Sequence, residues 1–187
     1  FALFFAAQFH QYRREAQAVQ ERAEAAIAFS TEQGFPTWLA NGTVLRGWAL
    51  AEQGQGEEGI AQLRQGLAAH RATGEEIENP YFLSLLAEAY GKVGQPEEGL
   101  NALAEALATM DKTGERWWEA ELYRLKGELL LMQREGEAPA EPQKGNGSAG
   151  ASPSPSAEQQ AEACFHKALE VARHQQAKSL ELRAAMS

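Results

Sequence analysis

The chain is short of three things, and each shortage excludes something. It has one cysteine, Cys164, among 187 residues. No internal disulfide framework can form, and a reducing, cytoplasmic setting is expected. It is short of basic charge: 17 Lys and Arg stand against 26 Asp and Glu, a formal net charge of -9. That balance argues against nucleic acid and anionic membrane as partners, since both call for a basic face. It also lacks any apolar run near the roughly 18–20 residues that cross a bilayer. The chain opens on Phe1 without the basic start of a signal peptide, and 179–187 reads as a helix cut short. It is therefore read as a segment of a longer protein. Apolar residues make up 44%, enough for a packed core.

What the sequence has in abundance is repetition. Gly34, Gly54, Gly74, Gly94 and Gly114 are spaced by 20 residues, with Ala, Leu, Glu and Gln between them. Those residues favour helix, and a glycine just past a helix end takes the left-handed conformation that stops it. Each 20-residue unit is thus one helix and its turn. Asn79 is placed to cap the helix begun by Pro80, and Pro36 and Pro96 suit first-turn positions.

The helices alternate in kind, so the full repeat is 40 residues. In the first helix of each pair, Phe5, Leu45, Leu85 and Leu125 form an apolar column, and Ala7, Gly47, Ala87 and Gly127 a small one. In the second, Val19, Gly59 and Gly99 align, as do Ala23, Leu63 and Leu103, then Ala26, Gly66 and Ala106, then Ile27, Leu67 and Leu107. Glycine inside a helix costs about 1 kcal/mol against alanine, and its recurrence in register implies close helix contact. Residues 135–156 break the pattern with four each of Gly, Pro, Ser and Ala. Such a composition cannot bury enough apolar surface to order itself, so 135–156 is expected to be a disordered insertion. Without those 22 residues Ala161, Phe165, Ala168 and Leu169 rejoin the columns. One domain over 1–187 is expected, with repeats at 1–34, 35–74, 75–114 and 115–178 and a truncated helix at 179–187.

Ala87, Tyr90, Gly94, Gly99, Leu103 and Ala106, repeated as Gly47, Leu50, Gly54, Gly59, Leu63 and Gly66 and as Gly127, Leu130, Ala161, Phe165 and Ala168, resemble the tetratricopeptide repeat (TPR). The resemblance implies an all-α fold, a right-handed TPR-like α-solenoid of antiparallel helix pairs with about four repeats. The repeat of 40 is longer than the family's common 34. The stretches Arg46-Gly47-Trp48-Ala49-Leu50-Ala51, Thr113-Gly114-Glu115-Arg116-Trp117-Trp118 and Gln175 through Arg183 look like the C-terminal arm of large bacterial STAND-type signalling ATPases, some of which carry a nucleotide cyclase domain. That likeness implies a non-catalytic sensor arm, with any ATPase or cyclase chemistry outside this segment.

No motif in the segment calls for chemistry of its own. Gly54-Gln55-Gly56-Glu57-Glu58-Gly59 matches a dinucleotide pattern, but that site needs a preceding strand and here a helix precedes it. His10, His70, His166 and His174 lack metal-ligand spacing, and Cys164 and His166, two apart, face away from each other on a helix. The acids Glu57-Glu58, Glu75-Glu76 and Glu97-Glu98 follow glycine stops, where the helix dipole favours negative charge. Neither a cofactor nor a metal is expected, and the segment is read as non-enzymatic.

Aligning the repeats marks Phe4, Gln8, Tyr12, Asn41, Val44, Trp48, Tyr81, Ser84, Glu88, Lys92, Arg124 and Glu128 as the lining of a concave face built from first helices. Its mixed aromatic and acidic character suits a protein or peptide ligand with apolar anchors and some basic charge. In this reading Trp48 and Tyr81 anchor the ligand, and alanine could replace them without unfolding. The alternative is that these aromatics, like Trp38 and Phe82, pack in the inter-repeat core. Trp117 and Trp118, adjacent on one helix, cannot face the same way, so one packs and the other is exposed. A self-association scaffold is the alternative, with apolar ends at Phe1, Phe4, Phe5 and Leu182.

Overall fold

The computed structural model describes residues 1–136 and 156–187. Among them lie nine helices and no strand: α1 (Ala2–Tyr12), α2 (Ala16–Gln33), α3 (Pro36–Glu52), α4 (Gly56–Ala72), α5 (Asn79–Lys92), α6 (Pro96–Thr113), α7 (Glu119–Gly136), α8 (Ala157–His174) and α9 (Lys178–Met186). The chain divides into two compact units, Phe1–Trp118 and Glu119–Ser187.

The five regularly spaced glycines are the turns. All have positive φ, between 70° and 87°, where a Cβ would clash with the following carbonyl. Two other residues hold this conformation at the same period: Arg14 at φ 63° and Gln176 at φ 55°. Arg14 stands 20 before Gly34, and Gln176 closes the last pair once the insertion is discounted. A third, Glu78 at φ 68°, falls outside the period and precedes α5. It occupies the cap position expected of Asn79, which is instead the first helical residue and makes no capping bond. A type of turn that needs φ above zero at Glu78 pushed the helix start back by one.

In the first unit, α1 pairs with α2, α3 with α4 and α5 with α6, and the first helices also pack together, α1 on α3 and α3 on α5. Small residues permit the closest crossing, between α3 and α4. Gly47 faces the backbone of Gly59 and Leu63, and Gly66 that of Ala40 and Val44. Leu45, Trp48, Leu63, Tyr81, Phe82, Leu83, Leu85 and Leu103 fill the core around these contacts.

The second unit pairs α7 with α8, and α9 packs on both. Gly127 of α7 receives the ring of Phe165 from α8. A capping box starts α8: the Ser156 hydroxyl accepts from the Gln159 N–H and the Gln159 side chain accepts from the Ser156 N–H. Of the expected insertion, Glu135 and Gly136 end α7 and Ser156 caps α8; 137–155 lie outside the described residues. Cys164 is half-buried and unpaired by any disulfide.

Candidate functional site

The first-helix face of the first unit is built on one ion network. Arg14, at the turn after α1, bonds Glu88 of α5 at 2.9 Å and reaches Glu52 of α3 at 3.3 Å. Its guanidinium lies over the Trp48 ring, 5.3 Å from the centroid. The Trp48 indole donates to Glu88 at 2.9 Å, and Lys92 pairs with Glu52 at 3.3 Å. The network ties α1, α3 and α5 to each other, and it offsets the strain of the left-handed Arg14.

Below it the same three helices are joined by aromatic and polar contacts. Phe4 meets Phe82 edge-on, and Tyr12 packs on Tyr81 and Trp118. Tyr81 donates to Gln11 at 3.0 Å, and the Trp118 indole donates to Ser84 at 2.8 Å. His70 is buried, with its Nε2 3.0 Å from the Ile77 carbonyl and its Nδ1 2.7 Å from the Asn41 side chain. Burial holds its pKa below the ordinary value, with the Ile77 bond opposing this, and it is a core histidine with both ring nitrogens engaged.

The contacts decide the fate of the expected lining. Phe4, Gln8, Asn41, Val44, Trp48, Tyr81, Ser84 and Arg124 are all buried, and only Tyr12, Glu88, Lys92 and Glu128 retain accessible surface. The first helices approach so closely that side chains meant for a ligand satisfy one another. Trp48, 1% exposed, and Tyr81, fully buried, are therefore core residues, the alternative to their reading as ligand anchors, and alanine could not replace them without loss of packing. Phe4 is likewise buried, unlike Phe1, Phe5 and Leu182, which are exposed. In the second unit Arg124 makes a bidentate ion pair with Glu121 at 2.8 and 3.0 Å, Arg183 joins Glu121 at 2.5 Å, and Glu128 also pairs with Arg124. Glu121 thus fastens α7 to α9 through Arg183, and Arg124 and Glu128 reach Ser187 just past the end of α9.

One corner of the first unit stays accessible. Tyr12 and Trp117 are each 40% exposed, while Trp118 is buried. One tryptophan packs and the other is exposed, but both precede α7 rather than sharing a helix. Their rings lie 5.1 Å apart with Tyr81 against each, so they do not face apart. Between Tyr12 and Trp117 lie two carboxylates. Glu78 accepts from Gln8 at 3.3 Å, and its own N–H donates to Glu115, which also accepts the Trp117 indole N–H at 2.6 Å. Burial pushes the Glu78 carboxyl from 4.5 up to about 7; the Gln8 bond opposes this and Glu115 and Glu75 add to it. Strained backbone and a displaced pKa meet at this residue, a combination that concentrates at functional positions. Sequence reasoning missed Glu78 because neither its φ nor its burial has a local signature.

The sign of the Glu78 effect is testable. The folded state holds this proton more tightly than the unfolded chain. The group's contribution is fullest below 4.5, falls as pH rises toward about 7 and is level above that. Glu78→Gln removes the decline. In urea titrations across this range, the variant should gain on the parent by about 2 kcal/mol, discounted for partial exposure. Parallel pH profiles would show that Glu78 titrates normally.

Among the described residues no group of three His, Cys, Asp or Glu could hold a metal, and no helix is long and apolar enough to cross a membrane. No protein-family model and no curated protein matches the chain. A solved structure does: nearly identical TPR-like repeats from Podospora anserina, assigned there to a kinesin light chain, align with a TM-score of 0.55 at 16% identity, over 99% of this chain and 92% of that one. The fold is TPR-like. The G-x-G-x-x-G stretch accordingly sits in a TPR-like inter-helix turn, with α3 before it and α4 after it, and has none of the strand context a dinucleotide needs.

Proposed function

We propose that this TPR-like chain is a non-catalytic protein-interaction and sensor module, belonging to the C-terminal regulatory arm of a larger bacterial signalling ATPase or nucleotide cyclase. The observation that carries the interaction reading is the corner formed by Tyr12, Trp117, Glu78 and Glu115. Two half-exposed aromatic rings beside two carboxylates suit a peptide with an apolar anchor and a basic neighbour, and aromatic side chains dominate interface hot spots. The arm reading is supported by the phrases around Trp48, Trp117 and Gln175–Arg183.

The second reading, a self-association scaffold, is favoured by Phe1, at the cap of α1, and Phe5 and Phe9 within it, all exposed at a spacing of four. One experiment addresses both. In the full-length parent, Trp117→Ala should change nucleotide turnover several-fold while the circular dichroism of the arm is unchanged. A parent without an ATPase or cyclase domain, or turnover that ignores the substitution, overturns the arm reading. Loss of a dimer in light scattering when Phe5 and Phe9 are replaced by Glu would favour the scaffold.

A further inference from the structure

The convergence of first helices has a counterpart on the other side of the first unit. There α4 packs on α3 and α5, and α6 packs on α5, but α4 and α6 do not pack on each other. A groove runs between them over α5. Its first half is a cavity of about 520 Å³ with Leu83, Leu86, Tyr90, Ile60 and Ala102 at its base. Its second half, about 320 Å³, lies near Asn79, Thr109 and Gly74. Glu105 lines the first half and Arg71 the second, and their ion pair at 2.7 Å crosses the groove where the halves meet.

Three features mark this groove as unfinished. Glu57 of α4 and Glu98 of α6 line the first cavity, and neither has a hydrogen bond or ion pair among the described residues. The dipole at the two helix starts accounts for acids there, but their sequence neighbours Glu58 and Glu97 do not line the cavity. Arg64 offsets one of the two charges, so the rim keeps an excess of negative charge. Tyr90 is only 9% exposed, and its hydroxyl has no partner among the described residues. Asn79, at the far end, is 5% exposed, and its Oδ1 is buried without a hydrogen bond. Buried polar groups are nearly always paired, and an orphaned acceptor asks for a donor.

We propose that the α4–α6 groove binds an extended segment of a partner protein, a Lys or Arg side chain lying between Glu57 and Glu98 and an apolar neighbour resting on Leu83, Leu86 and Tyr90. Length favours a chain over a small molecule. The lining face of α6 runs from Glu98 to Lys112, about 21 Å at helical rise, which six or seven extended residues span. Charge favours a basic peptide. The donors of its backbone or side chains complete Tyr90 and Asn79. The groove shares no residue with the Tyr12–Trp117 corner, so the proposal stands apart from the reading of that corner.

The test pans a random twelve-residue peptide library displayed on phage against the intact chain. Enriched peptides should carry Lys or Arg next to Leu, Ile or Phe, and bind less tightly as salt rises. Their affinity should fall at least tenfold for the double variant Glu57→Arg and Glu98→Arg, and a few-fold for Tyr90→Phe. Tyr90→Phe removes a hydroxyl with no partner in the free protein, so its thermal midpoint should match the parent and separate binding from folding. Trp117→Ala should leave these peptides bound. No enrichment, enrichment of acidic peptides, or binding that survives the Glu57 and Glu98 changes overturns the proposal. So does binding lost in Trp117→Ala alone.

Discussion

Gly47→Ala is expected to destabilise the first unit severely, although alanine is the better helix former. In an unobstructed helix the change would gain about 1 kcal/mol. Here a Cβ on Gly47 would stand 2.7 Å from the Leu63 backbone nitrogen and 2.8 Å from the Gly59 carbonyl oxygen. Both obstacles are main chain of α4, which cannot rotate aside, so the helices must part. Separation loosens the reciprocal contact at Gly59, 2.6 Å from the Gly47 carbonyl oxygen in the same sense, and the contact of Gly66 with Val44. Overpacking typically costs about 1–3 kcal/mol, and an obstacle of rigid backbone belongs at or above the top of that range. Against a total stability of about 5–15 kcal/mol the net loss should be visible as a large fall in urea midpoint. Gly127→Ala is the contrasting case. Its Cβ would meet the ring of Phe165 at 2.6 Å, and that half-buried ring can swing, so the expected loss is under about 1 kcal/mol. Equal effects at Gly47 and Gly127, or a gain at Gly47, would contradict the close-crossing account.

The glycines also show how far this fold is legible in the sequence. Spacing alone located the turns at Gly34, Gly54, Gly74, Gly94 and Gly114, because left-handed backbone selects glycine strongly enough to leave a mark. The same spacing extended one step back reaches Arg14 and, extended two steps forward with the 22-residue insertion removed, Gln176; both hold the conformation without the glycine. Composition hid them, and only the period finds them. Glu78 was beyond reach. Its positive φ answers to the Glu115 carboxylate that its N–H meets, 37 residues away, and nothing local encodes that bond.

The site was legible in part for a related reason. Periodicity says which side of a helix is buried or small, and it placed the expected lining on the first helices. It does not say how closely three first helices converge. That depends on pairings such as Gln8 with Glu78 and Arg14 with Glu88, each about 70 residues apart, whose partners are polar residue types with no local mark of burial. The consequence is an exchange of faces: the side expected to receive a ligand is largely occupied by the protein's own aromatics, and the unpaired carboxylates lie between the second helices. Glu57 and Glu98 were accounted for by the helix dipole, which holds for the four acids that open α4 and α6 and fails for Glu75 and Glu76, which lie ahead of α5; it cannot distinguish the two that border a cavity.

Trp48→Ala measures this exchange directly. For an exposed anchor the substitution would weaken a partner and spare the fold. Trp48 is 1% exposed, its indole N–H donates to Glu88 at 2.9 Å, and Arg14 lies over its ring. Removing a buried tryptophan typically costs about 3–5 kcal/mol, and here the loss also deprives Glu88 of a donor and Arg14 of the ring that helps hold its strained turn. The substitution should therefore unfold most of the first unit at mild denaturant, with α1 released from α5 first. Trp48→Phe keeps much of the volume and loses the hydrogen bond, so a smaller cost of about 1–2 kcal/mol is expected. Combining Trp48→Phe with Glu88→Gln should cost less than the sum of the separate changes, because the two residues share one bond. If Trp48→Ala instead left the denaturation midpoint unchanged, the ring would have to be exposed in solution, the three first helices would stand apart, and the face they line would again be open to a ligand.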